Sequence, residues 1–341
     1  MRISRTWALA SLVFSLGCDA TSEQADTALP DAALRDAAPP DAAPATLDAT
    51  TEDASLLADA PMHDAFARDA ALDGNAPSSL VEGGQDILFV GNSYVFVNDV
   101  PARYRAMAEV TGPVPLRLES TVMGGYRLIQ HATDAASEGT PIARWLRTGT
   151  AEETAFDVVV LQEQSQISGF PESNAERMNS LRGASMLASL ARAKGIDVVL
   201  YLTWGRERGD ETNPGLFPSF TVMQDRLDEG YRAMAARLRS EGSHVRIAPV
   251  GAAFRVVHAQ AAMAGDPTVE GTAFDALYEA DGSHPSARGA YLAATVILAT
   301  ITGLDPRTFT GPTDLDAATA MSLREAAYAA LTDARWSSEA R

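Results

Sequence analysis

The chain has 341 residues, a formal charge of −18 at pH 7, one lysine against 26 arginines, and a single cysteine. So acidic a balance excludes the basic footprint that nucleic-acid binding requires. One cysteine leaves no internal disulfide, so the folded part must be held by its core, and no apolar run of membrane-spanning length follows the first twenty residues.

At the start of the chain, Arg2 and Arg5 precede an apolar stretch, Trp7 to Leu16, that ends at Gly17-Cys18. A charged region, a short apolar region and a small residue before a cleavage point spell an export signal. Cys18 occupies the position at which bacterial lipoproteins are cleaved and lipidated, although Ser15 and Leu16 depart from the usual lipobox. Residues 1–18 are therefore expected to be a lipoprotein-type signal, with plain secretion as the alternative. The expected location is the bacterial cell envelope, periplasm or surface, with membrane contact only through a lipid on Cys18.

Residues 19–85 change character. Asp-Ala pairs recur from Asp31 to Asp69, prolines are frequent, and 14 acidic residues face two arginines. Few large apolar residues occur, so burial cannot offset the entropy of ordering. This stretch is expected to be a disordered linker.

Residues 86–341 alternate strand and helix patterns. Strands are predicted at Asp86–Val90, Leu116–Val122, Asp157–Leu161, Asp197–Thr203 and Val245–Pro249. Three of them are continuous apolar runs, as in parallel strands covered on both faces. Helices are predicted at Val100–Val110, Pro141–Arg147, Ala175–Lys194, Phe220–Ser240, from after Pro285 to about Thr302 with Gly303 as stop, and from Leu315 to about Arg335 with Thr313 as cap. The pattern implies an α/β fold: three α/β/α layers around a doubly wound parallel sheet of about five strands.

In such a sheet, ligands bind beyond the carboxyl ends of the strands. Ser93 follows the first strand, Gly124-Gly125 the second and Gln162-Glu163-Gln164 the third, while Asp281 and His284 immediately precede the penultimate helix. Ser93 offers a hydroxyl on a tight turn and either glycine a backbone N–H. Pro285 biases His284 away from helical angles, and Asp281 can fold back across Gly282 to orient the imidazole toward Ser93. A helix-cap role for Asp281 or Ser283 is the competing account. Among the other histidines, His63 lies in the linker, His244 in a polar turn, His258 after an apolar stretch, and His131 without a suitable carboxylate nearby. No paired His or Cys spacing supports a metal site.

These blocks resemble the SGNH/GDSL hydrolase family over most of residues 86 to 304. They are ILFVGNS with Ser93, STVMGGYRL with Gly124 and Gly125, VVVLQEQSQ with Gln162 and Gln164, and YEADGSHPSARGAYLAA with Asp281 and His284. The resemblance implies the flavodoxin-like SGNH fold and a catalytic Ser93–His284–Asp281 triad. It also implies an oxyanion hole of Ser93 N–H, Gly125 N–H and a side-chain amide, Gln164 by register or else Gln162. Asn92 stands where the family often has aspartate, and Gln164 where it has asparagine. Trp204, just after the fourth strand, is expected at the same rim, either against a sugar ring or capping the core, with Gly124 and Gln162 as further substrate contacts. The implied function is an exported serine esterase for small acyl esters or acylated glycans that uses no cofactor. An O-acyltransferase with the same triad, or a glycan-binding module without catalysis, would be the alternatives.

Overall fold

The computed structural model describes residues 86–111, 117–311 and 313–340. The expected signal, the lipidation site Cys18, the linker, His63 and Leu116 lie outside the described residues. Five parallel strands form one sheet: β1 (Ile87–Gly91), β2 (Leu118–Val122), β3 (Val158–Leu161), β4 (Asp197–Tyr201) and β5 (Val245–Ala248), in the order β2-β1-β3-β4-β5. Every residue of β1, β3 and β5 is buried, which parallel strands achieve only when helices cover both faces. β2 lies at the edge and is half-buried except at its exposed central residue, Ser120.

The helices are α1 (Ser93–Phe96), α2 (Val100–Thr111), α3 (Leu128–Ala136), α4 (Pro141–Ala143), α5 (Ala175–Ala193), α6 (Phe220–Ser240), α7 (Val250–Ala262), α8 (Ala287–Thr302) and α9 (Ala317–Thr332). α3, α5 and α6 pack in one group, while α2, α7, α8 and α9 pack in another. From Gly289 to Ile301 every residue of α8 is buried, as expected of a helix that is apolar all round. Its start is fixed by Ser286, whose hydroxyl accepts from Arg288 N–H and Gly289 N–H, and its end by Gly303 at φ 70°. None of the described helices is long and apolar enough to cross a membrane.

The strand and helix predictions hold with shifts of one or two residues at most ends, and five points differ. The segment from Pro141 is a single α-turn that widens into a π-turn over Arg144–Thr148. The last helix begins at Ala317, and Asp316 rather than Thr313 caps it, accepting from Thr319 N–H. α1, α3 and α7 are not among the predicted helices, and the N-cap residues of α3 and α7, Arg127 and Pro249, supply no side-chain acceptor. The chain leaves β1 toward β2 on one side and then crosses to β3 on the other. That places the topological switch point, where such sheets bind ligands, between β1 and β3. Ser93 and Gln164 follow those two strands.

Candidate active site

Ser93 is held by the three residues around it. A Cβ on Gly91 would sit 2.5 Å from Gln162 Oε1 and 2.7 Å from Val95 Cγ2, so only glycine lets β1 run this close to the end of β3. Asn92, 2% exposed, then ties three segments together. Its backbone N–H donates to Gln162 Oε1 (2.8 Å), its Nδ2 donates to Tyr126 O (2.8 Å), and its Oδ1 accepts from Tyr94 N–H (3.1 Å), which caps α1. Ser93 is the first residue of α1, where a backbone N–H has no intrahelical acceptor.

The histidine loop is built to meet it. Glu279 N–H donates to His284 O and Gly282 N–H to Glu279 O, closing a turn that Gly282 allows with φ 64°. Asp281 folds back: its Oδ1 accepts from the backbone N–H groups of Ser283 and His284 (both 2.9 Å), and its Oδ2 accepts from His284 Nδ1 at 2.5 Å. His284 Nε2 lies 2.8 Å from Ser93 Oγ. Burial pushes the Asp281 carboxyl up, but the bonds from His284 and Ser283 outweigh it and hold the group below its ordinary value. The carboxylate thus stays ionised and favours the Nδ1–H tautomer, which turns Nε2 toward Ser93 Oγ as an acceptor. The Asp281 side chain does not cap α8, a role that belongs to Ser286.

Two loops carry the residues expected to act as donors. Gly124 and Gly125 are exposed in the turn after β2; Gly125 has φ 67°, and a side chain at either would meet nothing within 4 Å. Glycine at 125 is therefore a conformational requirement, and at 124 nothing steric demands it. Gln164 is partly buried at the end of β3, with its Oε1 buried and lacking a hydrogen-bond partner among the described residues. Gln162 has no such freedom: it is fully buried, its Oε1 accepts from Asn92 N–H and its Nε2 donates to Glu163 O. It is scaffold, and the expectation that it contacts substrate or an oxyanion is corrected.

For Trp204 the core-capping alternative holds and the sugar contact is corrected. It is fully buried, stacked between Tyr94 (4.7 Å, 3°) and Phe254 (4.4 Å, 4°), and its Nε1 donates to Ser283 O at 3.0 Å. No sugar ring can reach its faces; its contribution is to anchor the histidine loop. Tyr94, Asn98 and Ser283 were not anticipated in this role. Tyr94 Oη and Ser283 Oγ are 2.7 Å apart, and the Tyr94 ring meets the His284 ring edge-on at 5.6 Å. Asn98, at φ 55°, donates to Glu279 Oε1 and Pro285 O. Polar residues one and five positions after Ser93, or one before His284, carry no distinguishing sequence signal. Of the remaining described histidines, His131 is buried against Gly91 O (2.8 Å), and burial lowers its basicity. His244 pairs with Asp197, and His258 stacks on Phe220.

No family model matches the chain, and no curated protein matches it. Solved structures do. A candidate SGNH hydrolase from Slackia heliotrinireducens is 28% identical over 63% of this chain and 98% of its own, with a TM-score of 0.47. A DUF4886 family protein from Bacteroides uniformis is 16% identical over 73% and 95%, with a TM-score of 0.55. The chain is similar to SGNH-type hydrolases. An acetylxylan esterase from Geobacillus stearothermophilus also matches, at 15% identity over 66% and 97%, with a TM-score of 0.45. The likeness to the Bacteroides uniformis structure establishes the shared α/β fold.

Proposed function

We propose that this protein is a serine esterase acting on short-acyl esters, with carbohydrate O-acetyl groups as the substrate class to test first. The observation that carries the reading is the continuous relay from Ser93 Oγ through His284 to Asp281, at 2.8 and 2.5 Å. A binding surface has no need of a base aimed at a hydroxyl. In the proposed cycle, His284 Nε2 takes the Ser93 proton as Oγ attacks the ester carbonyl. The oxyanion is stabilised by the N–H groups of Ser93 and Gly125 and by the Gln164 amide. His284 then protonates the leaving alcohol, and water, activated by the same histidine, releases the acid from the acyl-enzyme.

The test is release of 4-nitrophenol from 4-nitrophenyl acetate by the purified chain, with Ser93→Ala and His284→Ala alongside. Each substitution is expected to lower kcat by roughly 10³-fold or more; activity that survives both would overturn the triad. The N-terminal signature supports export with a lipid anchor on Cys18. Cys18→Ala should then move the protein out of the membrane fraction, and unchanged retention would refute the anchor.

A further inference from the structure

The end of β3 carries a carboxylate that the proposed cycle does not use. Glu163 is fully buried, and no ion pair reaches it among the described residues; the cation beside it, Arg127, pairs with Glu176. Instead its carboxylate accepts from backbone. Oε1 takes Gln164 N–H at 2.6 Å, and both oxygens take Leu128 N–H at 3.2 and 3.3 Å. Leu128 opens α3, whose N-cap residue, Arg127, offers no acceptor oxygen on its side chain. Glu163 is thus the cap of a helix that begins 35 residues earlier, and its negative charge faces the positive end of that helix.

The placement is specific. The turn carrying Gly124 and Gly125 is pinned behind by Leu128 N–H on Glu163 and, two residues nearer, by Tyr126 O on Asn92. The other donor, Gln164, hangs from the same carboxylate by its own N–H. One side chain therefore spans the two loops whose donors must converge on a single oxygen. A buried carboxylate with no counter-ion costs several kcal/mol, a cost that a merely space-filling residue would avoid.

We propose that Glu163 is the positioning residue of the oxyanion hole, strapping the Gly124–Gly125 turn and Gln164 into one register. The proposal rests on the esterase reading. Donor alignment matters only once the oxyanion forms, so loss of the strap falls on kcat and spares KM.

The experiment compares Glu163→Ala, Glu163→Asp and Glu163→Gln with wild type on 4-nitrophenyl acetate, with rates divided by sites titrated with a fluorophosphonate. Glu163→Ala is expected to lower kcat per site by about 10- to 100-fold, short of the roughly 10²–10³-fold for outright loss of a donor, with KM within about twofold. Glu163→Gln, equal in reach, should recover most of the rate, and Glu163→Asp, equal in charge but a methylene short, should not. Wild-type kcat per titrated site in Glu163→Ala overturns the strap. Should that variant not fold, wild-type kcat in Glu163→Asp overturns it equally. A wild-type chain that neither cleaves the ester nor takes the fluorophosphonate refutes the esterase reading itself, and the role of Glu163 falls with it.

Discussion

Asn92 shows how much one side chain decides here. It donates through Nδ2 and accepts through Oδ1, joining the turn after β2 to the cap of α1. An aspartate, common at this position in the family it resembles, could cap α1 but could not donate to Tyr126 O unless protonated. Asn92→Asp is therefore expected to destabilise the protein by about 2 kcal/mol, the cost of a lost bond plus a buried charge facing a carbonyl. The pH sign follows: the buried carboxyl would titrate above its ordinary value, so the loss should be smaller at pH 5 than at pH 8. Urea unfolding of both proteins at the two pH values checks it, and a larger loss at pH 5 would contradict the assignment. The sequence made Ser93, Asp281 and His284 legible because a nucleophile, base and carboxylate leave spaced motifs. It could not separate Gln162 from Gln164, since two like amides beyond a strand end read alike until one is seen spent on Asn92 N–H.

At the scale of elements, legibility followed the range of the interactions that form each one. β1, β3 and β4 are buried apolar runs, and α5 and α6 begin with their own caps, Asn174 and Ser219; both signals are local. α3 has no N-cap acceptor of its own: Gln130 Oε1 takes Arg127 N–H, but Leu128 N–H is met by Glu163 from the loop beyond β3. Trp204 stayed open between a sugar contact and the core for a related reason: its place after β4 was readable, but the aromatic partners that bury it come from α1 and α7. The contact of α3 with α5 offers a test. A Cβ on Gly183 would lie 2.4 Å from Ile129 N and 2.5 Å from Leu128 C, both backbone atoms that cannot rotate away. In an exposed helix, Gly→Ala gains about 1 kcal/mol; here α5 must move off α3, at a cost of about 2–4 kcal/mol. Gly183→Ala should accordingly lower the melting temperature by several degrees. It should also lower kcat, because the displaced turn is the one held by Glu163. A melting temperature at or above that of wild type would show that the helices separate freely.

At the scale of the whole molecule, stability is a margin of about 5–15 kcal/mol, small enough for one buried acid to register. Burial raises the Glu163 carboxyl from 4.5 to about 7, against the lowering effect of the bonds from Gln164 N–H and Leu128 N–H. A carboxyl raised in the folded state contributes stability that is fully present below the unfolded value and is lost as pH rises through the folded one. Between pH 5 and pH 8 that loss is about 2.5 kcal/mol. Self-repulsion in a chain of charge −18 grows over the same range and in the same direction, so the wild-type curve alone cannot apportion it. Glu163→Gln removes the titration while leaving every other acid in place, and the difference between the two proteins isolates the term. Relative to wild type, the variant should gain about 2.5 kcal/mol in urea unfolding on going from pH 5 to pH 8. A difference that stays flat with pH would mean that the Glu163 carboxylate is no costlier inside the protein than in water, and that its bonds to Leu128 and Gln164 fully offset its burial.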